Sequence, residues 1–332
     1  MVSRARKAAA QATYQQGERK NFIFNGDMEI CQRATSVADL GNADTGYHVQ
    51  DRWKFAEGGA PNAIVTMSKA TESPDGFASS LKLDCTTASG TVSAADAIYF
   101  SQVFEGQYLQ SINKGDAQAR AVTVSFWVNT TKTGTYIVSM YDADNARQNS
   151  QSYTVSSSNT WEHKSVTFPP DTTGTYGNDN AISLYVHWAL VAGTDWTSGT
   201  LQEAWASSTT ANIFVGQVDA LDNTSNNFHI TGVQMELGNT ATDFQYESYG
   251  ENLARCQRYF YKGEDAVYGS YTAGSFASYS NVWFPTTMRA DPTVTGVGTG
   301  GTAQGVSRNR IDCYEAGDYA YWAAGHTASA EL

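Results

Sequence analysis

From Val122 to Asn129 the chain reads Val-Thr-Val-Ser-Phe-Trp-Val-Asn. Val122, Val124, Phe126 and Val128 fall on one parity; Thr123, Ser125, Trp127 and Asn129 fall on the other. An unbroken period of two fits a half-buried β-strand and excludes an amphipathic helix, whose apolar positions return every three or four residues. "AISLYVHWAL" repeats the pattern, with Ile182, Leu184, Val186 and Trp188 as the core face and Tyr185 and His187 opposite. "TYIVSMYDA", "WEHKSVTF" and "NFHITGVQMEL" are further strand-like runs, and "NFIFNGDMEI" carries an Asn-Gly turn at Asn25-Gly26. Lys132-Thr-Gly134 predicts a hairpin joining the 122–129 strand to "TYIVSMYDA". Strands separated by turn residues, with no helical pattern between them, predict an antiparallel β-sandwich.

Composition supports that class. Charged residues make up 16% and aromatics 12%, with 29 Gly against 6 Pro, a mix that suits short strands and many turns. The 332 residues divide by texture into four parts. Residues 1–20 form a polar basic arm or helix, 21–248 the sandwich, 249–262 a linker with helical spacing at Leu253, Cys256, Gln257 and Phe260, and 263–332 a smaller, Gly-rich C-terminal β-domain. That last part is too small to bury much apolar surface alone and is expected to dock on copies of itself.

The net charge is −12, which argues against nucleic acid as a partner. Arg4, Arg6, Lys7, Arg19 and Lys20 nevertheless stand against the single Glu18 in the first 20 residues, so the arm is the candidate docking element. No run is long and apolar enough to enter a membrane as a helix, and no apolar region follows the basic residues as in a secretory signal. Cys31, Cys85, Cys256 and Cys313 lack metal-ligand spacing and read as free thiols.

Searches for catalytic chemistry return little. There is no G-x-S-x-G elbow, no HExxH and no Walker loop. Gly296-Val-Gly298-Thr-Gly300-Gly301 matches a dinucleotide fingerprint, but no apolar helix face follows it, and a loop is the reading. Asp142-Ala-Asp144-Asn145 starts like a calcium loop without its later Gly and Glu, and reads as a solvated hairpin turn. The expectation is a non-enzymatic protein without metal or cofactor. Trp127, Tyr185 and His187, beside amides and hydroxyls, are candidate carbohydrate-binding residues, since aromatic faces stack on sugar C–H surfaces. The alternative is that these rings pack on a neighbouring strand, loop or subunit.

Several stretches together resemble phage and prophage tail-fibre-like proteins: "NFIFNGDMEICQRATS", "DRWKF", "VTVSFWV", "WEHKSVTFP", "ITGVQMELGNTATDFQYESYGENLARCQRYF" and "FPTTMRADPTV". The resemblance implies a jelly roll like that of carbohydrate-binding modules, followed by a terminal β-domain, in a fibre or spike that is usually trimeric. It implies a virion location after assembly in the bacterial cytoplasm, another virion protein (tail, portal or capsid) as partner of the arm, and host-surface glycan as target. A head fibre or capsid decoration protein is the alternative role, and a depolymerase a third. Related sugar-binding jelly rolls hold calcium through a Glu in the opening motif and an Asp pair on the last strand. Glu29 is present, but Thr231-Gly232 stand in place of the pair, so no metal is expected.

Overall fold

The computed structural model describes residues 21–41, 43–263, 267–268, 270–271, 277–297, 302–316 and 321–332. The basic arm, with Arg4, Arg6, Lys7, Arg19 and Lys20, lies outside the described residues, as do Gly298–Gly301 of the glycine motif.

Two antiparallel sheets face each other as a jelly-roll sandwich. One runs β1 (Ser36–Leu40), β4 (Ile64–Ala70), β5 (Ser80–Thr87), β13 (Asn227–Leu237), β7 (Val122–Thr130), β10 (Glu162–Phe168). The other runs β12 (Ala206–Ser207), β9 (Arg147–Val155), β8 (Gly134–Asp142), β11 (Ile182–Ala192), β6 (Ala97–Glu105), β3 (Lys54–Gly58), β2 (Gly46–Tyr47). Their inner faces are the apolar parities read from the sequence: Val124, Phe126 and Val128 meet Leu184, Val186 and Trp188 in one continuous core.

The expected hairpin between β7 and β8 does not form. β7 pairs with β13 and β10, and β8 with β9 and β11, so the 131–133 turn carries the chain from one sheet to the other. Alternation shows which face is apolar, not which strand lies alongside. β7 is also buried on both faces over its first half. The chain after β13 folds back across it: Thr123 Oγ1 donates to the Gly238 carbonyl at 2.8 Å, and the Gln245 amide donates to Gln234 Oε1 at 2.8 Å.

The opening segment is a turn rather than a strand, with Asn25 at φ 52°. It locks onto β13, 200 residues later in the chain. The Phe22 amide donates to the Met235 carbonyl at 2.9 Å, and the Val233 amide to the Gly26 carbonyl at 2.9 Å. A Cβ on Gly26 would overlap the Val233 carbonyl, which fixes glycine there. The helix Tyr249–Gln257 starts on a Ser248/Glu251 capping box and buries Asn252 and Cys256. Asn252 Nδ2 donates to Asp27 Oδ1 at 2.9 Å, so this helix also returns to the opening turn. Phe260 falls after the helix, in β14, instead of on its apolar stripe.

Strands β14 (Phe260–Lys262), β15 (Val267–Tyr268), β18 (Thr293–Val297) and β21 (Tyr321–Ser329) form one small sheet. A second contains β16 (Ser270–Tyr271), β17 (Ala277–Trp283), β20 (Arg310–Ala316) and β19 (Thr302–Val306). Val282, Phe284, Met288, Ile311, Ala328 and Ala330 are the buried residues of the core described between them. This slight core docks on the sandwich of its own chain. Arg258 Nη2 pairs with Glu105 at 2.8 Å, Arg289 Nη1 donates to the Asn180 carbonyl at 2.8 Å, and Tyr47 Oη donates to the Leu332 carbonyl at 3.0 Å.

The 142–145 turn is the β8–β9 hairpin, exposed at Asp144 as expected but buried at Asp142. Asp142 is fully buried, accepts the amides of Asp144 and Asn145, and lies 2.6 Å from Lys114 Nζ, which also meets Asp171 at 3.1 Å. Buried charge of this kind is tolerated because every member is paired. Cys31, Cys85 and Cys256 are free thiols.

Candidate functional site

The sequence candidates separate onto two faces. Tyr185 and His187 lie together on the outer face of the seven-stranded sheet, because Leu184, Val186 and Trp188 turn the other parity of β11 inward. Register then adds residues that alternation within one strand cannot name. Tyr141 of β8 lies directly opposite Tyr185, while Ser101 of β6 and Ser139 of β8 flank His187 from either side. Tyr99 is two positions from Ser101 and so shares its face. Ring centroids lie 6.1 Å apart for Tyr141–Tyr185, 5.5 Å for Tyr185–His187, which are stacked at 22°, and 4.9 Å for His187–Tyr99, edge-on. These four rings cross three adjacent strands as a continuous half-buried ridge.

At one end the ridge meets the 194–214 connection. Trp196 lies 6.2 Å from Tyr99, and Phe214 buries Ile137 and Ala189 of the sheet beneath it. At the other end Tyr185 lies opposite Val103 of β6, whose carbonyl accepts from the Arg52 guanidinium. Lys54 of β3 stands opposite Ser101, which completes a row Lys54–Ser101–His187–Ser139 across four strands.

The ridge itself is a neutral acceptor–donor surface, with the Lys54 ammonium in the same register row. Burial, with Lys54 nearby, pushes His187 down to about 3, so its ring is uncharged at neutral pH. Its Nδ1 is buried without a hydrogen-bond partner among the described residues. Burial raises the phenols of Tyr99 and Tyr185, which therefore stay protonated. The hydroxyls of Tyr99, Tyr141 and Tyr185 make no hydrogen bond to any described residue. Rings held rigidly on strands with free polar tips are the arrangement that stacks on an apolar sugar face and bonds its hydroxyls.

Trp127 is half-buried on the outer face of the opposite, six-stranded sheet. His163 of β10 lies beside it, with centroids 5.2 Å apart. A Cβ on Gly232, where φ is +60°, would press on Phe77 and Trp127, so these rings close over that glycine. Phe77 continues into Phe244 at 5.1 Å and the exposed Tyr246 at 5.6 Å. Trp127 is thus part of a separate aromatic cluster and does not join Tyr185 and His187.

Among the described residues no group of three or more His, Cys, Asp or Glu is placed to hold a metal ion, and no helix is long and apolar enough to cross a membrane. No family model matches the chain, and no curated protein does. Among solved structures it is similar to the enzymatically active domain of tailspike protein 4 of bacteriophage CBA120, at TM-score 0.34 and 15% identity. That match covers 65% of this chain and 21% of the tailspike chain, about a fifth of its length. A putative sugar binding protein from Bacteroides thetaiotaomicron VPI-5482 matches at TM-score 0.33 and 11% identity, over 66% of this chain and 100% of that one. The C-terminal family 22 carbohydrate binding module of Clostridium thermocellum Xyn10B matches at TM-score 0.31 and 14% identity, over 62% and 96%.

Proposed function

We propose that this chain is a non-enzymatic carbohydrate-binding protein whose binding surface is the outer face of the seven-stranded sheet. One observation carries the reading: Tyr141, Tyr185, His187 and Tyr99 form a connected ridge whose three phenol groups have no partner among the described residues. The half-buried rings leave their hydroxyls within reach of a ligand. Stacked rings contribute about 0.5–1.5 kcal/mol each, so the double substitution Tyr141→Ala/Tyr185→Ala is expected to weaken binding roughly tenfold or more. Affinity electrophoresis through polysaccharide gels measures this. Trp127→Ala should migrate like wild type. The converse pattern, with Trp127 essential and the double variant unchanged, would move the site to the other sheet.

At a finer level the proposed role is that of a phage virion protein, a homotrimeric fibre or spike that binds glycan on the host surface. Support comes from the resemblance of the motifs quoted above and from the charge asymmetry of the arm. Three weak sites on one rigid assembly raise effective affinity far above that of a single site. Arg4, Arg6, Lys7, Arg19 and Lys20 would dock the arm on an acidic surface of another virion protein. A chain lacking residues 1–20 is expected to fold and to keep saccharide binding while failing to join particles. Normal incorporation of that chain would remove the docking role.

A further inference from the structure

We propose that the saccharide taken by the outer face of the seven-stranded sheet is an acidic one, a carboxylate-bearing sugar whose anionic group meets Lys54. This rests on the carbohydrate reading above and adds the ligand class to it. Lys54 points outward because its neighbour Phe55 fills the core together with Phe100, and its register partner Ser101 sits directly beside His187. The ammonium is therefore on the same surface as the free phenols, two strands from Tyr185. It lies 5.8 Å from the Tyr47 ring centroid, and it acts electrostatically on His187.

What marks Lys54 is the missing counter-charge. Cations nearby are matched: Arg33 pairs with Asp51 and Glu331, Arg52 with Glu331, and Arg258 with Glu105. No carboxylate lies within ion-pair distance of Lys54 Nζ among the described residues, in a chain whose net charge is −12. An acid-rich protein that leaves this ammonium without a carboxylate on the same sheet face as three phenols has the complement of a uronic or sialic acid unit. The rings take the pyranose face, the phenols take its hydroxyls, and Lys54 takes the carboxylate through a charge-assisted bond. His187 is neutral, so Lys54 is the one permanent charge in its register row.

The test uses the full chain in gels of polygalacturonate and, in parallel, of neutral galactan, at matched physiological ionic strength. Wild type is expected to be retained more strongly by the acidic polymer. Lys54→Gln should lower the ratio of acidic to neutral retention by roughly tenfold, the loss of one charged hydrogen bond, and Lys54→Arg should restore it. Equal retention by the two polymers, or an unchanged ratio in Lys54→Gln with the melting temperature preserved, overturns the acidic assignment but leaves the carbohydrate reading standing. Wild type that passes both gels unretarded overturns the carbohydrate reading and this inference with it.

Discussion

Glu331→Gln is expected to lower the free energy of unfolding by about 3–5 kcal/mol, although it changes one heavy atom in the residue next to Leu332. Its carboxylate pairs with Arg52, whose side chain is fully buried, and with Arg33 Nη2 at 2.9 Å. Arg52 lies over the Tyr259 ring at 3.6 Å and donates to the Val103 carbonyl. Burial works against its charge, and the Glu331 carboxylate, together with Tyr47 and Tyr259, more than offsets this, holding the guanidinium above its ordinary pKa. An amide in place of the carboxylate leaves a positive charge in the interior without compensation. Arg52 cannot escape by losing a proton, as a buried lysine would. Arg52→Met on top of Glu331→Gln should therefore recover part of the loss, since a removed pair is less harmful than a broken one. Urea midpoints for the two single variants and the double variant measure the coupling. A Glu331→Gln midpoint within error of wild type would show that the clasp carries no stability.

Trp188→Ala is expected to cost a similar amount, about 3–5 kcal/mol, by a different route. Trp188 has no exposed surface and stacks on Phe100 at 5.6 Å and 5°, with Trp53 at 5.3 Å and Phe126 edge-on at 6.1 Å. The four rings join both sheets, so a cavity here loses contacts on both sides of the sandwich and cannot collapse by moving one strand. Trp188→Phe should cost much less than the alanine. The indole Nε1 it removes has no hydrogen-bond partner among the described residues, so no buried acceptor there is orphaned. Equal losses for Phe and Ala would mean that the cavity is not what destabilises the alanine variant.

The core was legible because side-chain parity is local information. The alternation over 122–129 and 182–188 names Phe126 and Trp188 as inward and Tyr185 and His187 as outward before any pairing is known, and the structure keeps that division. What joins strands to one another is not local. The β7–β8 hairpin expected from adjacency in sequence fails because the chain crosses to the other sheet at this turn, whereas it stays in one sheet at β4–β5 and β8–β9. The same blindness hid half of the ridge. "TYIVSMYDA" already places Tyr141 opposite Val138 and Met140 by parity, yet only the Tyr141–Tyr185 register makes it a neighbour of His187. Trp127 was grouped with Tyr185 and His187 because all three face away from a core, and a sandwich has two such faces. Asp142 reads as solvated because a turn residue usually is, while its ion-pair partner Lys114, shared with Asp171, comes from a loop distant in sequence.

The central claim is that saccharide binds the tyrosine ridge of the seven-stranded sheet, and residue-resolved protection tests it most directly. The protein is treated with a tyrosine-nitrating reagent with and without a bound polysaccharide, and modification is read by peptide mass spectrometry. Protection is predicted at Tyr99, Tyr141 and Tyr185, with none at the exposed Tyr246 and Tyr249. Protection of Tyr246 with the ridge still reactive would contradict the claim.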